Sequence, residues 1–195
     1  MGILIHYKKK NLVSAIDQLV VLHQQYNQNT FGLEADLSRL LEETQAFFKQ
    51  IGQSQQQSMV SKLSIYLQTA LSGINPQTLE VVKKYRRLMI KTAVYHCLSS
   101  LSSLLEQELG EINALLSQSK KVIEQVMISA IQSHIITHEQ IQKVESIQEV
   151  EKLWIYFKSK IEQVNTIHKK LLLDLLNQDI YLLLDEVIDS LKEKE

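Results

Sequence analysis

Val94-Tyr-His-Cys-Leu98-Ser-Ser-Leu101-Ser-Ser-Leu-Leu105-Glu-Gln-Glu-Leu109-Gly-Glu-Ile112-Asn-Ala-Leu-Leu116 is the stretch that decides the fold class. Its apolar residues recur at steps of three and four, and Ile123, Val126 and Ala130 continue the series. That spacing lines one face of an α-helix; a strand would need alternation every second residue. The reading predicts a helix from Pro76 to about Ser133, with fraying at Gly110 or at Ser117–Ser119 as the alternative.

The same period extends outward in both directions. Upstream, Leu12, Ile16, Leu19, His23 and Tyr26 predict a helix over about residues 9–28, followed by a connector at 27–32. Leu33, Leu37, Leu40, Thr44, Phe47 and Ile51 form a second stripe that Gly52 can end in a left-handed conformation. Ser54 and Gln57 match a capping box for a third helix carrying Val60, Leu63, Leu67 and Ala70. The glutamine-rich run 53–57 reads as a solvated joint, and one continuous rod with a stutter at 52–58 is the alternative. Gly73-Ile-Asn-Pro76 predicts a tight helical hairpin, with Gly73 ending one helix, Asn75 capping the next and Pro76 at its first position. Downstream, Thr137 with Gln140 and Ser146 with Glu149 match capping boxes, and Ile136 with Ile141 form a hydrophobic staple. A coiled-coil-like stripe then runs from Val150 through Trp154, Phe157, Ile161, Val164, His168 and Leu171 to Leu175.

Composition agrees. The 195 residues include 5 Gly and 1 Pro, against the roughly 14 and roughly 10 of average usage. Turn-rich β folds and glycine-loop nucleotide folds are thereby excluded. The expected fold is all-α: an elongated antiparallel bundle of about four to six helices in one domain over residues 1–195. Sub-lobes 1–74 and 75–195 are the alternative division. The richest apolar stretch in this reading, 171–188, is interrupted by Asp174, Asn177, Gln178, Asp179, Asp185 and Glu186 and cannot span a bilayer. Lys8, Lys9 and Lys10 after Ile3-Leu-Ile make too short a segment for more than marginal membrane attachment. They read as a frayed N-terminus that tucks a few apolar side chains against the bundle. One cysteine, Cys97, excludes an internal disulfide, and a cytoplasmic setting is the expectation.

No local spacing specifies a catalytic, metal or cofactor site. His134 and His138 are four apart, but Thr137 reads as a helix cap between them. His23, His96, Cys97 and His168 lie on helical stripes and could converge for metal or acid–base work; polar core residues that fix register are the plainer reading. Charge is more informative. Net charge is -1, yet residues 1–100 sum to about +5 and residues 101–195 to about -6. Lys83, Lys84, Arg86, Arg87 and Lys91, with Tyr85 among them, form the compact basic cluster. It is a candidate anion or nucleic-acid contact, with Lys84, Arg87 and Lys91 on one helical face. Leu173, Leu176, Ile180, Leu183, Val187 and Leu191, interspersed with acids, form a candidate partner-binding face.

The sequence thus points to a non-enzymatic helical interaction protein: a scaffold, adaptor or small subunit of a larger assembly, with a protein partner or self-association. A subunit lying along nucleic acid through 83–91 is the first alternative, and a metal-dependent bundle enzyme the second. Neither a cofactor nor a small-molecule substrate is inferred.

Overall fold

The computed structural model describes residues 3–193, and over them the protein is all-α. Eight helices follow in order: α1 (Ile5–Gln28), α2 (Leu33–Gln50), α3 (Ser54–Leu71), α4 (Arg86–Gln132), α5 (His138–Gln142), α6 (Ile147–Lys160), α7 (Glu162–Leu171) and α8 (Asn177–Lys192). The only strand-like pairing among the described residues is a single antiparallel bridge between Ile74 and Val81. The chain divides into two compact units. Unit 1 comprises Met1–Lys9 with Glu111–Glu195, and unit 2 comprises Lys10–Gly110. The division falls at Gly110, inside α4.

In unit 2, α2 and α3 form a hairpin. Gly52 takes φ 73°, its N–H donates to Lys49 O, and Gln53 N–H donates to Phe48 O, which closes α2. The expected cap at Ser54 is not made. Ser54 is already the first helical residue, and Gln53 precedes it with no side-chain cap. The glutamines at this joint serve another purpose. Gln53 Nε2 and Gln56 Nε2 donate to Glu108 (3.4 and 2.6 Å), a buried carboxylate on α4. The core around them holds Leu12, Leu19, Leu37, Leu41, Phe48, Leu67, Leu98, Leu101 and Leu105.

The hairpin expected at Gly73–Pro76 is only half present. Gly73 does end α3 at φ 85°, with Gly73 N–H donating to Ala70 O and Ile74 N–H to Thr69 O. Asn75 and Pro76, however, do not open a helix. Asn75 Oδ1 accepts from Gln77 N–H, Asn75 N–H donates to Glu80 O, and Leu79 N–H donates to Asn75 O. The asparagine that could have capped a helix instead closes a small loop, a use this side chain serves equally well. α4 therefore starts ten residues later than expected. It then runs unbroken through Gly110 and 117–119. By length and composition alone α4 is long and apolar enough to cross a membrane. In unit 2 its Ala93, Val94, Cys97, Leu98, Leu101, Leu104 and Leu105 are buried as core.

In unit 1 the stripe from Val150 to Leu175 is cut twice. Ile161 is extended (φ -123°, ψ 103°) and separates α6 from α7. Asn165 Nδ2 takes the freed Lys158 carbonyl (3.0 Å), and Trp154 Nε1 donates to His168 Nδ1 (3.1 Å) across the bend. A straight helix could not return His168 to the indole. The second cut lies at 172–176. There Asp179, fully buried, joins two helix starts: its carboxylate accepts Leu176 N–H at the start of α8, and Ile5 and His6 N–H at the start of α1 (all 3.1 Å). His6 Nδ1 lies 2.7 Å away. The N-terminus is thus tethered in unit 1 rather than simply tucked in. At α5, Thr137 and Gln140 make the expected capping box. At α6, Glu149 accepts from Glu145 and Ser146 N–H.

Burial alone would push the Asp179 carboxyl up; the bonds from the His6 side chain, then from His6, Ile5 and Leu176 N–H, outweigh it and hold it below the usual range. The stabilisation is therefore complete above the unfolded carboxylate value of about 4 and is lost as pH falls through the lower folded value. Asp179→Asn should cost about 2–3 kcal/mol at neutral pH, read from urea unfolding monitored by circular dichroism. The difference from wild type should vanish in strong acid.

Candidate functional site

The six residues of the expected partner-binding face are placed as follows. Ile180, Leu183 and Val187 are buried in unit 1 together with Leu184 and Ile188, Leu176 and Leu191 are half-buried, and only Leu173 is well exposed. The acids of this helix also have partners of their own. Asp179 is the double cap, Glu186 pairs with Lys120 (2.9 Å), and Asp189 lies 3.7 Å from Lys192. Asp185 is raised by burial and by Asp189 beside it. The apolar surplus read from the sequence is largely consumed by unit 1 itself, because α8 packs against both α5 and α6.

The histidines and the cysteine have local partners too. His23 Nε2 is 3.2 Å from Ser102 Oγ, His96 is exposed and packs on the Tyr66 ring (4.8 Å), and Cys97 Sγ lies 3.5 Å from Leu63 O. His168 belongs to unit 1, where burial and then Lys158 keep its imidazole neutral enough to accept the Trp154 indole. His134 (φ 54°) is the left-handed residue ending α4, and His138 begins α5, so the pair shares no helical face. Among the described residues no group of three His, Cys, Asp or Glu is placed to hold a metal.

The basic cluster is the candidate that remains on the surface, and the structure sorts its members. Because α4 begins at Arg86, Lys83 and Lys84 precede the helix, and the expected face of Lys84, Arg87 and Lys91 does not form. Arg86 Nη2 donates to Leu71 O (2.6 Å), and its guanidinium passes 3.4 Å from where a Cβ on Gly73 would lie. It clips the 72–85 loop onto the end of α3. Lys91 Nζ donates to Asn29 Oδ1 (2.7 Å) and sits over the Tyr26 ring (5.3 Å), which ties α4 to the end of α1. Lys83, Lys84 and Arg87 are exposed and make no such tie among the described residues.

Apolar side chains surround these cations. Phe31, on the α1–α2 turn, is fully exposed, as are most of Leu79, Val81, Tyr85 and Leu88. A cavity of about 590 Å³ has Tyr26, Leu33, Ile90 and Val94 in its walls and Phe31, Glu34, Arg86, Arg87 and Lys91 around them. Tyr85 and Leu88 line a second depression with Asn75, Pro76 and Gln77. Sequence reasoning missed Phe31, Leu79, Val81 and Leu88. A phenylalanine inside Asn29-Thr-Phe-Gly32 was the available signal, since a polar turn gives an aromatic nothing to pack on.

The charge is distributed differently by unit than by half-chain. Unit 2 carries nine Lys+Arg against eight Asp+Glu, and unit 1 twelve against fourteen, so the half-chain polarity is not a polarity of the units. What persists is local: five of the nine cations of unit 2 lie between 83 and 91. Two of them occupy the first turn of α4, opposed to the positive end of the helix dipole. No known protein family, curated protein or solved structure matches the chain.

Burial pushes the Cys97 thiol up to about 11, which leaves almost no thiolate at neutral pH. In native protein Cys97 should resist iodoacetamide for hours while unfolded protein is alkylated within minutes. Mass spectrometry of timed samples checks this, and rapid labelling of the folded chain would contradict the buried placement.

Proposed function

We propose that this protein is a non-enzymatic helical adaptor or subunit of a larger assembly, working in the cytoplasm and docking through the basic, apolar end of unit 2. One observation carries the reading. Five cations and five exposed apolar side chains are gathered around the start of α4 and the two turns beside it. Scattered exposed apolar residues are ordinary, but a group rimmed by charge marks a surface meant to be covered. Each cation at the first turn of α4 costs a few tenths of a kcal/mol or more against the dipole. An anionic partner offsets that cost.

The α8 face expected from the sequence does not dock a partner in this proposal, because Ile180, Leu183 and Val187 support the unit 1 core. Nucleic acid is the second reading. The same cations favour it, as does Tyr85, which stands in solvent where a base could stack.

Charge reversal tests the docking role. In a native lysate the wild-type chain should fractionate above its own 22.5 kDa, with complexes or membranes. Lys84→Glu/Arg87→Glu should shift most of it to the free position with unchanged helicity. An identical distribution for both proteins would remove this surface from the function.

A further inference from the structure

We infer that the basic, apolar end of unit 2 seats on the anionic headgroup surface of a lipid bilayer. The inference rests on the docking reading above and names its partner.

The side chains that would enter the surface are held out on turns. Phe31 stands at the tip of the α1–α2 connection. Leu79 is 74 % exposed and Tyr85 80 % exposed, and both adopt left-handed backbone (φ 59° and 61°). That conformation is unfavourable for bulky L-residues, and it persists only where surrounding bonds impose it. At Leu79 the N–H bond to Asn75 O (2.8 Å) and the Asn75–Glu80 bond impose it; beyond Tyr85, Arg86 fastens the loop to Leu71 O. The fold thus accepts strain at two apolar residues that gain no burial from it.

The chemistry of the end matches one occupant. Among the described residues Lys83, Lys84 and Arg87 make no bond that would keep them from phosphate and carboxylate groups, while Glu34 and Asp36 in the first turn of α2, and Glu80, are nearby acids. Arg86 and Lys91 are bonded to neutral oxygens and keep their charge, so five cations lie between 83 and 91, within the four to eight Lys and Arg that mark electrostatic attraction to acidic lipid. Aromatic and aliphatic side chains among such cations gain a further term at the boundary of headgroup and acyl chain. Nucleic acid would satisfy the cations but leave Leu79, Val81 and Leu88 in water. Phe31 lines one depression with Arg86, Arg87 and Lys91, and Tyr85 and Leu88 line another with Asn75, Pro76 and Gln77, so the apolar residues flank the start of α4 on two sides, an arrangement that a fluid surface accepts without a matching groove.

The test uses the purified full chain and vesicle sedimentation. Vesicles of phosphatidylcholine with phosphatidylserine as minor component should retain the protein, and pure phosphatidylcholine should not. Retention should weaken as salt rises and fall about tenfold in Lys84→Glu/Arg87→Glu. It should also fall severalfold in Phe31→Ser/Leu79→Ser, in which every cation remains; circular dichroism checks that both variants stay folded. Failure to bind the anionic vesicles overturns the inference, as does binding that neither double variant changes. Equal affinity for a DNA duplex, indifferent to Phe31→Ser/Leu79→Ser, would reassign the cations to nucleic acid. Loss of the lysate shift on charge reversal without any vesicle binding would overturn the lipid partner alone and leave the docking role standing.

Discussion

Burial of the leucine stripes is the constraint on which this structure depends. A chain with so few glycines and prolines has little means of reversing direction cheaply, so its favourable free energy must come from apolar helix faces laid against one another. Every stripe that finds a neighbour is consumed. Leu98, Leu101 and Leu105 are consumed in unit 2, and Ile180, Leu183 and Val187 in unit 1. Apolar side chains left outside after that packing are correspondingly informative, and several of them collect around the start of α4.

The second demand on a helical chain is that its ladders end with their donors and acceptors satisfied. The protein meets it with left-handed residues at Asn29, Gly52, Gly73 and His134, which close α1, α2, α3 and α4. Asp179 goes further by serving two helix starts at once. A buried carboxylate would ordinarily be a liability, but three N–H donors and an imidazole make this one a joint. Arg86 and Lys91 are the basic counterparts in unit 2, each holding a turn against a helix. Structural and surface roles are thus divided within one short cluster. Arg86 and Lys91 position the end of α4, and Lys83, Lys84 and Arg87 present its charge.

The periodicities of three and four residues alone were enough to establish helices, their faces and several of their ends. Gly52, Gly73 and Thr137 announced themselves because each acts through its own backbone or its nearest neighbours. The seams could be read as well, since Leu12, Leu37 and Trp154 are buried where the stripes put them. Local pattern cannot tell which of two local uses a residue takes when both are satisfied by near neighbours. Asn75 could cap a helix or close a loop, and only the competing bonds to Glu80 and Leu79 decided for the loop. Ile161 fits a helical stripe, but Trp154 and His168 meet only if the helix breaks there.

The candidate surface depended still more on tertiary structure. The sequence displayed five cations as a group, but their sorting required the positions of Leu71, Asn29 and Tyr26, which come from other helices. It also displayed an apolar surplus on α8, yet whether a leucine faces a neighbour or water is a fact about what is packed beside it. Helical faces follow from φ and ψ repeated along one chain segment, and so are written locally. Exposure is a property of the whole assembly of helices, and no single segment encodes it.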